Sequence, residues 1–417
     1  MNYTNNFKKF TILVLVLFQL AAASSAQTGK FPEPRQEKLL NNLKLLVWNE
    51  PKAEKVTVKL RIHSGSAFDP LGKEGVMALL GDALFPNESQ REFFTEDLGG
   101  SLEVTSNFDY IQIDATGNSD QFLTILETLA TAVTNPQINK ENTAKIVSAR
   151  LEKLKELEKN PAYIVDQAVA KRLFGDFPYG RAQAGTSASL TKIDFADLIF
   201  ARQRFLTADN ATLAVSGNVK HDLVFRAVRR YFGAWEKADK KVPATFRQPE
   251  APETKQLVIE NPNANGSQMQ FAIRGLARND KDYVASILLL NILENRLHNE
   301  SSIQEKTSVF VRQQPYLLSG SIIFGLSSTK AGTVTEKSIT NLFNQKITVT
   351  EFEQAKIKYP DTLTENNFVS RRLDLDTFPI STSHLSNTKL EDVQKLAEKL
   401  QKQPVVSVII RKSDEAK

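Results

Sequence analysis

Histidine and cysteine, which often bind metals or act in catalysis, are scarce or absent in this sequence. The four histidines, His63, His221, His298 and His384, never show the i, i+4 spacing that places two imidazoles on one face of a helix. The chain has no cysteine, which excludes disulfides, thiolate metal sites and a thiol nucleophile. No Gly-x-x-x-x-Gly-Lys phosphate loop and no Gly-x-Ser-x-Gly nucleophile turn occurs. The sequence therefore holds no complete residue set for one of these mechanisms.

Composition indicates a folded protein of two or three domains. The length of 417 residues allows sizeable cores, and a hydrophobic fraction of 41% with a charged fraction of 24% is typical of globular chains. Without Lys8 and Lys9, 51 basic residues remain against 48 acidic ones, a balance of +3. No stretch combines dense basic residues with aromatic ones, so we expect no nucleic-acid partner.

Residues 1–26 have the features of a secretory signal peptide. Lys8 and Lys9 precede an apolar run, Phe10–Ala23, and the small residues Ser24–Ala26 follow it. The run is shorter than the roughly 20 residues that a membrane-spanning helix needs, so cleavage is favoured over an uncleaved anchor. The sequence thus predicts export across the inner membrane, a soluble periplasmic mature protein and no membrane contact after cleavage.

Strand and helix patterns alternate along the first half of the mature chain. Period-two alternation predicts strands at 45–48, 56–62, 101–105, 110–115 and 213–216, and helical periodicity predicts helices near 74–84, 122–132, 142–157, 163–174 and 223–232. The strands at 101–105 and 110–115 are expected to form a hairpin. These elements make up a predicted first domain, residues 27–237.

A proline-rich, charged stretch separates this domain from a second one. Residues 238–255 contain three prolines among charged side chains, which predicts an exposed linker. Beyond it, in residues 256–417, two strands, a helix, two strands, helices and a final strand at 405–410 repeat the order of the first half. We therefore predict an α+β fold with two similar halves, each a mostly antiparallel sheet with helices packed on one face.

Several segments, in order and spacing, resemble the M16 family of insulinase-type and mitochondrial-processing-peptidase-like zinc proteases. They are Gly65–Pro70 with Gly72–Gly75, Leu98–Gly100 with Thr105 and Ser106, Phe177–Arg181 with Gly185 and Thr186, Ser216–Val219 with Tyr231–Gly233, Gln268–Phe271, and Thr350–Lys356. The resemblance covers nearly the whole mature chain and implies two homologous halves in a clamshell arrangement. It also implies an edge strand that pairs with extended peptides, formed by Ser101, Leu102, Glu103, Val104 and Thr105.

The resemblance also locates the family's zinc motif, whose residues are missing here. The family's His-x-x-Glu-His falls on Ala78, Gly81 and Asp82, and its third ligand, a glutamate, falls on Glu158. If Asp82 and Glu158 met in space they could hold a hard cation, but two carboxylates alone make a poor zinc site. The resemblance therefore implies an inactive member that holds no metal cofactor, with zinc expected in a partner subunit.

Metal-free subunits in paired members of this family supply an arginine and a tyrosine, seven residues apart, that contact the substrate. The resemblance places Gln304 at the arginine position and Val311 at the tyrosine position, or Phe310 if one residue is deleted. Arg312 and Tyr316 lie nearby at a different spacing. These two either replace the missing pair or are ordinary residues at a strand end.

The function predicted from the sequence is that of a secreted, non-catalytic partner of an active zinc-containing M16 homologue, in a heterodimer or larger oligomer. In that role the chain would contribute to a peptide-binding chamber. Two alternatives stay open. One is a free-standing protein that captures extended peptides by strand addition to Ser101–Thr105, and the other is a zinc endopeptidase with residual activity.

Overall fold

The computed structural model describes residues 33–238, 246–264, 266–300, 307–328, 335–358, 369, 372–373 and 387–412. The strands are β1 Arg35–Lys38, β2 Lys44–Asn49, β3 Lys55–Ile62, β4 Ser101–Ser106, β5 Ile111–Asn118, β6 Ala211–Gly217, β7 Leu257–Glu260, β8 Ser267–Arg274, β9 Ser308–Gln314, β10 Ser321–Ser328 and β11 Val406–Arg411. The helices are α1 Val76–Leu84, α2 Glu88–Glu96, α3 Phe122–Thr134, α4 Lys140–Leu157, α5 Pro161–Phe174, α6 Ser187–Leu190, α7 Phe195–Phe205, α8 His221–Phe232, α9 Tyr283–His298, α10 Glu336–Asn344, α11 Val349–Lys358 and α12 Leu390–Gln401.

The strands form two sheets, and each half of the sequence contributes one. The first sheet has the order β1-β2-β6-β3-β5-β4 and the second β7-β11-β8-β10-β9. Without β1 the two orders are the same, and each sheet has one parallel pair, β2 with β6 and β7 with β11, among antiparallel ones. The predicted α+β class with two similar, mostly antiparallel halves is confirmed.

Within each half, the helices that pack on the sheet of that half cover one of its faces, because the strands place alternate side chains on that face. In β3, the residues Val56, Val58, Leu60 and Ile62 are fully buried in a core that includes apolar residues of α1 and α3. The second sheet packs in the same way on α9, α10 and α12, with Phe271 and Phe324 at its centre. The predicted helix near residues 74–84 is therefore present and lies directly on the first sheet.

Helix α5 belongs to the first half in sequence but packs on the second sheet. It begins with Pro161 at its first position, and Asn160 caps it by accepting a hydrogen bond from Ala162 N. Its buried residues Val165 and Val169 lie in one apolar cluster with residues of β8, β10 and β11. A helix of the first half thus covers the face of the second sheet that is opposite to α9, α10 and α12.

The predicted domain boundaries stay a prediction. Of the linker predicted at 238–255, the structure describes 238 and 246–255, and these residues form neither helix nor strand. The signal peptide predicted at 1–26 lies outside the described residues. Among the residues that are described, no helix has the length and apolar character needed to cross a membrane.

Candidate functional site

Helix α1 has a fixed starting point because a buried carboxylate binds its first turn. The Asp69 side chain accepts hydrogen bonds from Gly75 N at 2.7 Å and from Met77 N at 2.8 Å. Burial raises the pKa of Asp69 to about 7. Gly75 has a φ of 106°, and a Cβ there would lie 2.7 Å from Leu190 Cδ2, so the chain needs glycine at this turn.

The three positions matched to the zinc motif, spaced by three and four residues, lie on one side of α1. Ala78 is buried, whereas the Asp82 side chain keeps 38% of its surface exposed. Gly81 faces strand β4 closely, because a Cβ on Gly81 would lie 2.5 Å from Ser106 Oγ and 3.7 Å from Val104 Cγ1. The motif positions and the edge strand therefore share one region of the molecule.

An arginine from α4 faces the motif positions. Arg150 Nε and Nη2 both donate to Asp82 Oδ2, at 2.8 Å and 2.5 Å, and Nη2 also donates to Ala78 O at 3.3 Å. Its side chain keeps only 16% of its surface exposed. Hydrogen bonds between a guanidinium and a carboxylate are among the stronger ones in proteins. Arg150 thus joins α4 to α1 at the motif positions.

Glu158, which the sequence placed at the third zinc ligand, lies elsewhere on the same helix. It is exposed at the C-terminal end of α4, eight residues after Arg150, which corresponds to about 12 Å along the helix axis. The structure does not bring Glu158 into hydrogen-bonding contact with Asp82. The α4 residue that reaches the motif positions is Arg150, which sequence reasoning did not single out.

These side chains do not fit a zinc ion. A catalytic zinc needs three protein donors and an open fourth position, but Ala78 and Gly81 have no side-chain donor and Asp82 is already bound to Arg150. A guanidinium at this place also repels a dication. Elsewhere in the described part of the chain, no group of three or more His, Cys, Asp or Glu side chains could hold a metal ion. No catalytic step through zinc can be derived for these residues.

Strand β4 lies at the edge of the first sheet, with different residues on its two faces. The side chains of Ser101, Glu103 and Thr105 are exposed, while Leu102 is buried and Val104 is half-buried toward the helices. The five residues that were predicted to form an edge strand therefore do form one. Their role in peptide binding stays a prediction.

The register of β4 determines which of its backbone groups are open. Asn107 N donates to Tyr110 O at 2.9 Å, so these two residues form a hydrogen-bonded pair. Two residues further along each strand, Thr105 lies opposite Gln112. Because hydrogen-bonded pairs alternate in an antiparallel ladder, the backbone groups of Leu102, Val104 and Ser106 point away from β5. Gln183 Nε2 donates to Ser106 O. Among the residues that the structure describes, the N–H and C=O groups of Leu102 and Val104 therefore form the open part of this edge.

The positions predicted for an arginine and tyrosine pair fall on β9 and on the segment before it. Gln304 lies outside the described residues. Phe310 pairs with Gly325 of β10, and its ring lies over this glycine, where a Cβ would collide with it. Val311 packs in the core on the α9 side of the sheet. Phe310 and Val311 thus pack on opposite faces of the second sheet, to which β9 belongs.

Arg312 and Tyr316 contact residues of the first half. Arg312 Nη2 donates to Asp166 Oδ1 on α5 at 2.6 Å. The Tyr316 ring lies 4.5 Å from the Tyr179 ring, between centroids, and burial raises the pKa of Tyr316 above its usual value. Both side chains therefore hold β9 and the loop after it against the first half. Their predicted substitution for the missing pair stays a prediction.

Comparison with known proteins gives two family matches in sequence order. Residues 44–187 match the model described as Insulinase (Peptidase family M16), and residues 192–359 match Peptidase M16 inactive domain. The chain is 24% identical over 210 residues to an uncharacterized zinc protease of Rickettsia bellii, covering 49% of this chain and 50% of that protein. It is 21% identical over 282 residues to mitochondrial-processing peptidase subunit beta of Saccharomyces cerevisiae, covering 65% and 60%. The chain spans about half the length of the first of these relatives.

Solved structures show the same fold. A peptidase M16 inactive domain from Pseudomonas fluorescens aligns with a TM-score of 0.81 at 20% identity, covering 93% of this chain and 99% of that one. A protease from Helicobacter pylori also aligns with a TM-score of 0.81, at 16% identity, covering 91% and 100%. At such identities the likeness shows the architecture, and the site residues have to be judged from this chain alone.

Proposed function

Because the chain belongs to the M16 family of insulinase-type peptidases, we propose that it is a non-catalytic homologue that acts as the partner subunit of an active zinc peptidase. One observation carries this proposal. On α1, the positions that correspond to the zinc motif of the family hold Ala78, Gly81 and Asp82. Arg150 is bound to Asp82, at the place where zinc ligands would be needed. Within the described part of the chain, this arrangement offers no donor set with which zinc could activate a water molecule.

One relative supports a subunit role, because the Saccharomyces cerevisiae protein is named mitochondrial-processing peptidase subunit beta. Another relative, the Rickettsia bellii protein, is named an uncharacterized zinc protease. Zinc and hydrolysis would then come from a second M16 chain. The signal-like residues 1–26 support a periplasmic location of the assembly.

The contribution of this chain would be one wall of a peptide-binding chamber. The outward N–H and C=O groups of Leu102 and Val104 offer hydrogen bonds to an extended peptide by strand addition. Side chains of such a peptide would alternate between Gly81 on the helix side and Glu103 on the opposite face. This geometry supports peptide binding without cleavage.

The test compares the chain alone with the chain in its assembly. The mature protein and a zinc-bearing M16 homologue from the same organism are purified separately and together, and zinc content and cleavage of an extended fluorogenic peptide are measured. We expect activity only in the mixture, and we expect it to vanish when the glutamate base of the homologue is replaced by glutamine. Retained stoichiometric zinc and cleavage by this chain alone would show a metallopeptidase instead.

A free-standing peptide-binding protein is the second candidate, and the open edge at Leu102 and Val104 favours it. The two candidates differ in their dependence on a partner. A chain that binds extended peptides by itself, and that neither binds a zinc-bearing homologue nor changes its activity, would support the second candidate.

A further inference from the structure

We infer that Arg150 is a built-in cation that closes the degenerate site, so that restoring the motif residues of α1 alone would not restore metal binding. This inference rests on the proposed function and adds a reason why the site is closed. Loss of donors at Ala78 and Gly81 is one part of the change. The other part is a positive charge held in the space where α4 approaches α1.

The position of Arg150 on α4 fixes its direction. Ile146 and Leu154, four residues before and four residues after it, are both buried in the core of the first half. Residues spaced by four share one face of a helix, so Arg150 projects from the middle of the buried face. The side chain is consequently directed toward α1 and away from the exposed Glu and Lys side chains of α4.

The acceptors on α1 hold the guanidinium in place. Ala78 O and Asp82 Oδ2, one helical turn apart, both accept from Nη2, and Asp82 Oδ2 also accepts from Nε. A carboxylate at position 150 would project toward the same turn, where side chains at positions 78 and 82 also project. The geometry therefore assigns position 150, rather than Glu158, as the place on α4 from which a third ligand could act.

The test restores donors on α1 with and without the arginine. The starting variant carries Ala78→His, Gly81→Glu and Asp82→His, with Ser106→Ala to remove the Oγ atom that a side chain at position 81 would meet at 2.5 Å. The second variant adds Arg150→Glu, and the third adds Arg150→Gln as a matched control that removes the charge but supplies no carboxylate. Zinc retained after desalting is measured by mass spectrometry, and folding is checked by circular dichroism.

We expect about one zinc per chain with Arg150→Glu, at least about tenfold less retention with Arg150→Gln, and none with Arg150 present. Equal zinc retention with Arg150 present would overturn the inference, and so would a folded Arg150→Glu variant that retains no zinc. Neither result would bear on the partner role, which is tested separately by measuring the assembly that the native chain forms.

A second measurement covers the case in which the α1 variants do not fold. Arg150→Glu in the otherwise native chain places two carboxylates, including Asp82, opposite each other. We expect millimolar Mn²⁺ to raise the melting temperature of this variant and to leave that of the native protein and of Arg150→Gln unchanged. An equal response of all three proteins to Mn²⁺ contradicts the inference.

Discussion

Asp109 and Arg278 form a buried ion pair that joins the two halves of the molecule. Arg278 Nη1 donates to Asp109 Oδ2 at 2.9 Å, and the two side chains are 13% and 3% exposed. The same carboxylate accepts hydrogen bonds from Tyr179 Oη at 2.8 Å and Leu317 N at 2.7 Å. Asp109 lies in the turn between β4 and β5, so these contacts hold the hairpin that carries the edge strand.

Removing Arg278 should destabilise the protein strongly. Arg278→Met removes the guanidinium that pairs with the buried Asp109 carboxylate, and we expect the free energy of unfolding to fall by about 3–5 kcal/mol in urea titrations. Lys155→Met, which removes the exposed ion pair with Glu152, serves as the control and should cause no measurable change. Similar effects of the two substitutions would show that the buried pair contributes little.

The start of α1 should be sensitive to the backbone conformation of Gly75. Gly75→Ala meets both a left-handed φ and a collision with Leu190, whereas Gly72→Ala meets a φ of 79° with no atom within 4 Å. We expect Gly72→Ala to cost about 1–2 kcal/mol and Gly75→Ala to cost more, measured by chemical unfolding. Equal losses would mean that the packing of Leu190 adjusts freely.

Glu351 should make stability depend on pH in the acid range. Hydrogen bonds from Arg296 lower its pKa to about 2 from the usual 4.5. A carboxyl group whose pKa is lower in the folded state stabilises that state above the unfolded pKa, and this contribution is lost as pH falls from about 4.5 to about 2. We expect native protein to lose more stability over this range than Glu351→Gln.

The matched control for Glu351 is Glu353→Gln, because Glu353 is more exposed and lies 3.7 Å from Lys356. Unfolding midpoints in urea are compared at neutral and acid pH for all three proteins. Equal losses of stability on acidification in the native protein and in Glu351→Gln would contradict the role assigned to the pair of Arg296 and Glu351.

Peptide capture at the edge strand should depend on the N–H of Val104. Val104→Pro removes this outward donor without removing a bond to β5, since proline is tolerated at such edge positions. Loss of one hydrogen bond of about 1–1.5 kcal/mol predicts roughly tenfold weaker binding of an extended peptide in fluorescence anisotropy. Val104→Thr keeps the donor and should bind as the native protein does. Equal affinity of the proline and threonine variants would place peptide binding elsewhere.

Much of the fold could be predicted because its elements have strong local patterns. The alternation from Val56 to Ile62 identified β3, and Gly99 and Gly100 before Ser101 indicated the turn into β4. Strand β1 and the helices α2, α6, α7 and α12 were not predicted. Helix α2 has little apolar periodicity, although its capping box between Asn87 and Gln90 was a usable signal.

The least predictable features depend on which elements meet in space. Periodicity identified α5 as a helix, but Val165 and Val169 could pack on either sheet as far as the sequence shows. Arg150 lies in a helix rich in Glu and Lys, so its charge did not distinguish it from its neighbours. Only its spacing from Ile146 and Leu154 could have indicated a buried position. The ion pair between Asp109 and Arg278 joins loops that are far apart in sequence.

The non-catalytic partner role is tested by isolating this protein from its native compartment under gentle conditions. The mass and subunit composition of the assembly are then measured by native mass spectrometry. We expect co-elution with an M16 homologue that carries an intact His-x-x-Glu-His motif and all of the bound zinc. A chain that runs alone, or only with copies of itself, would contradict it.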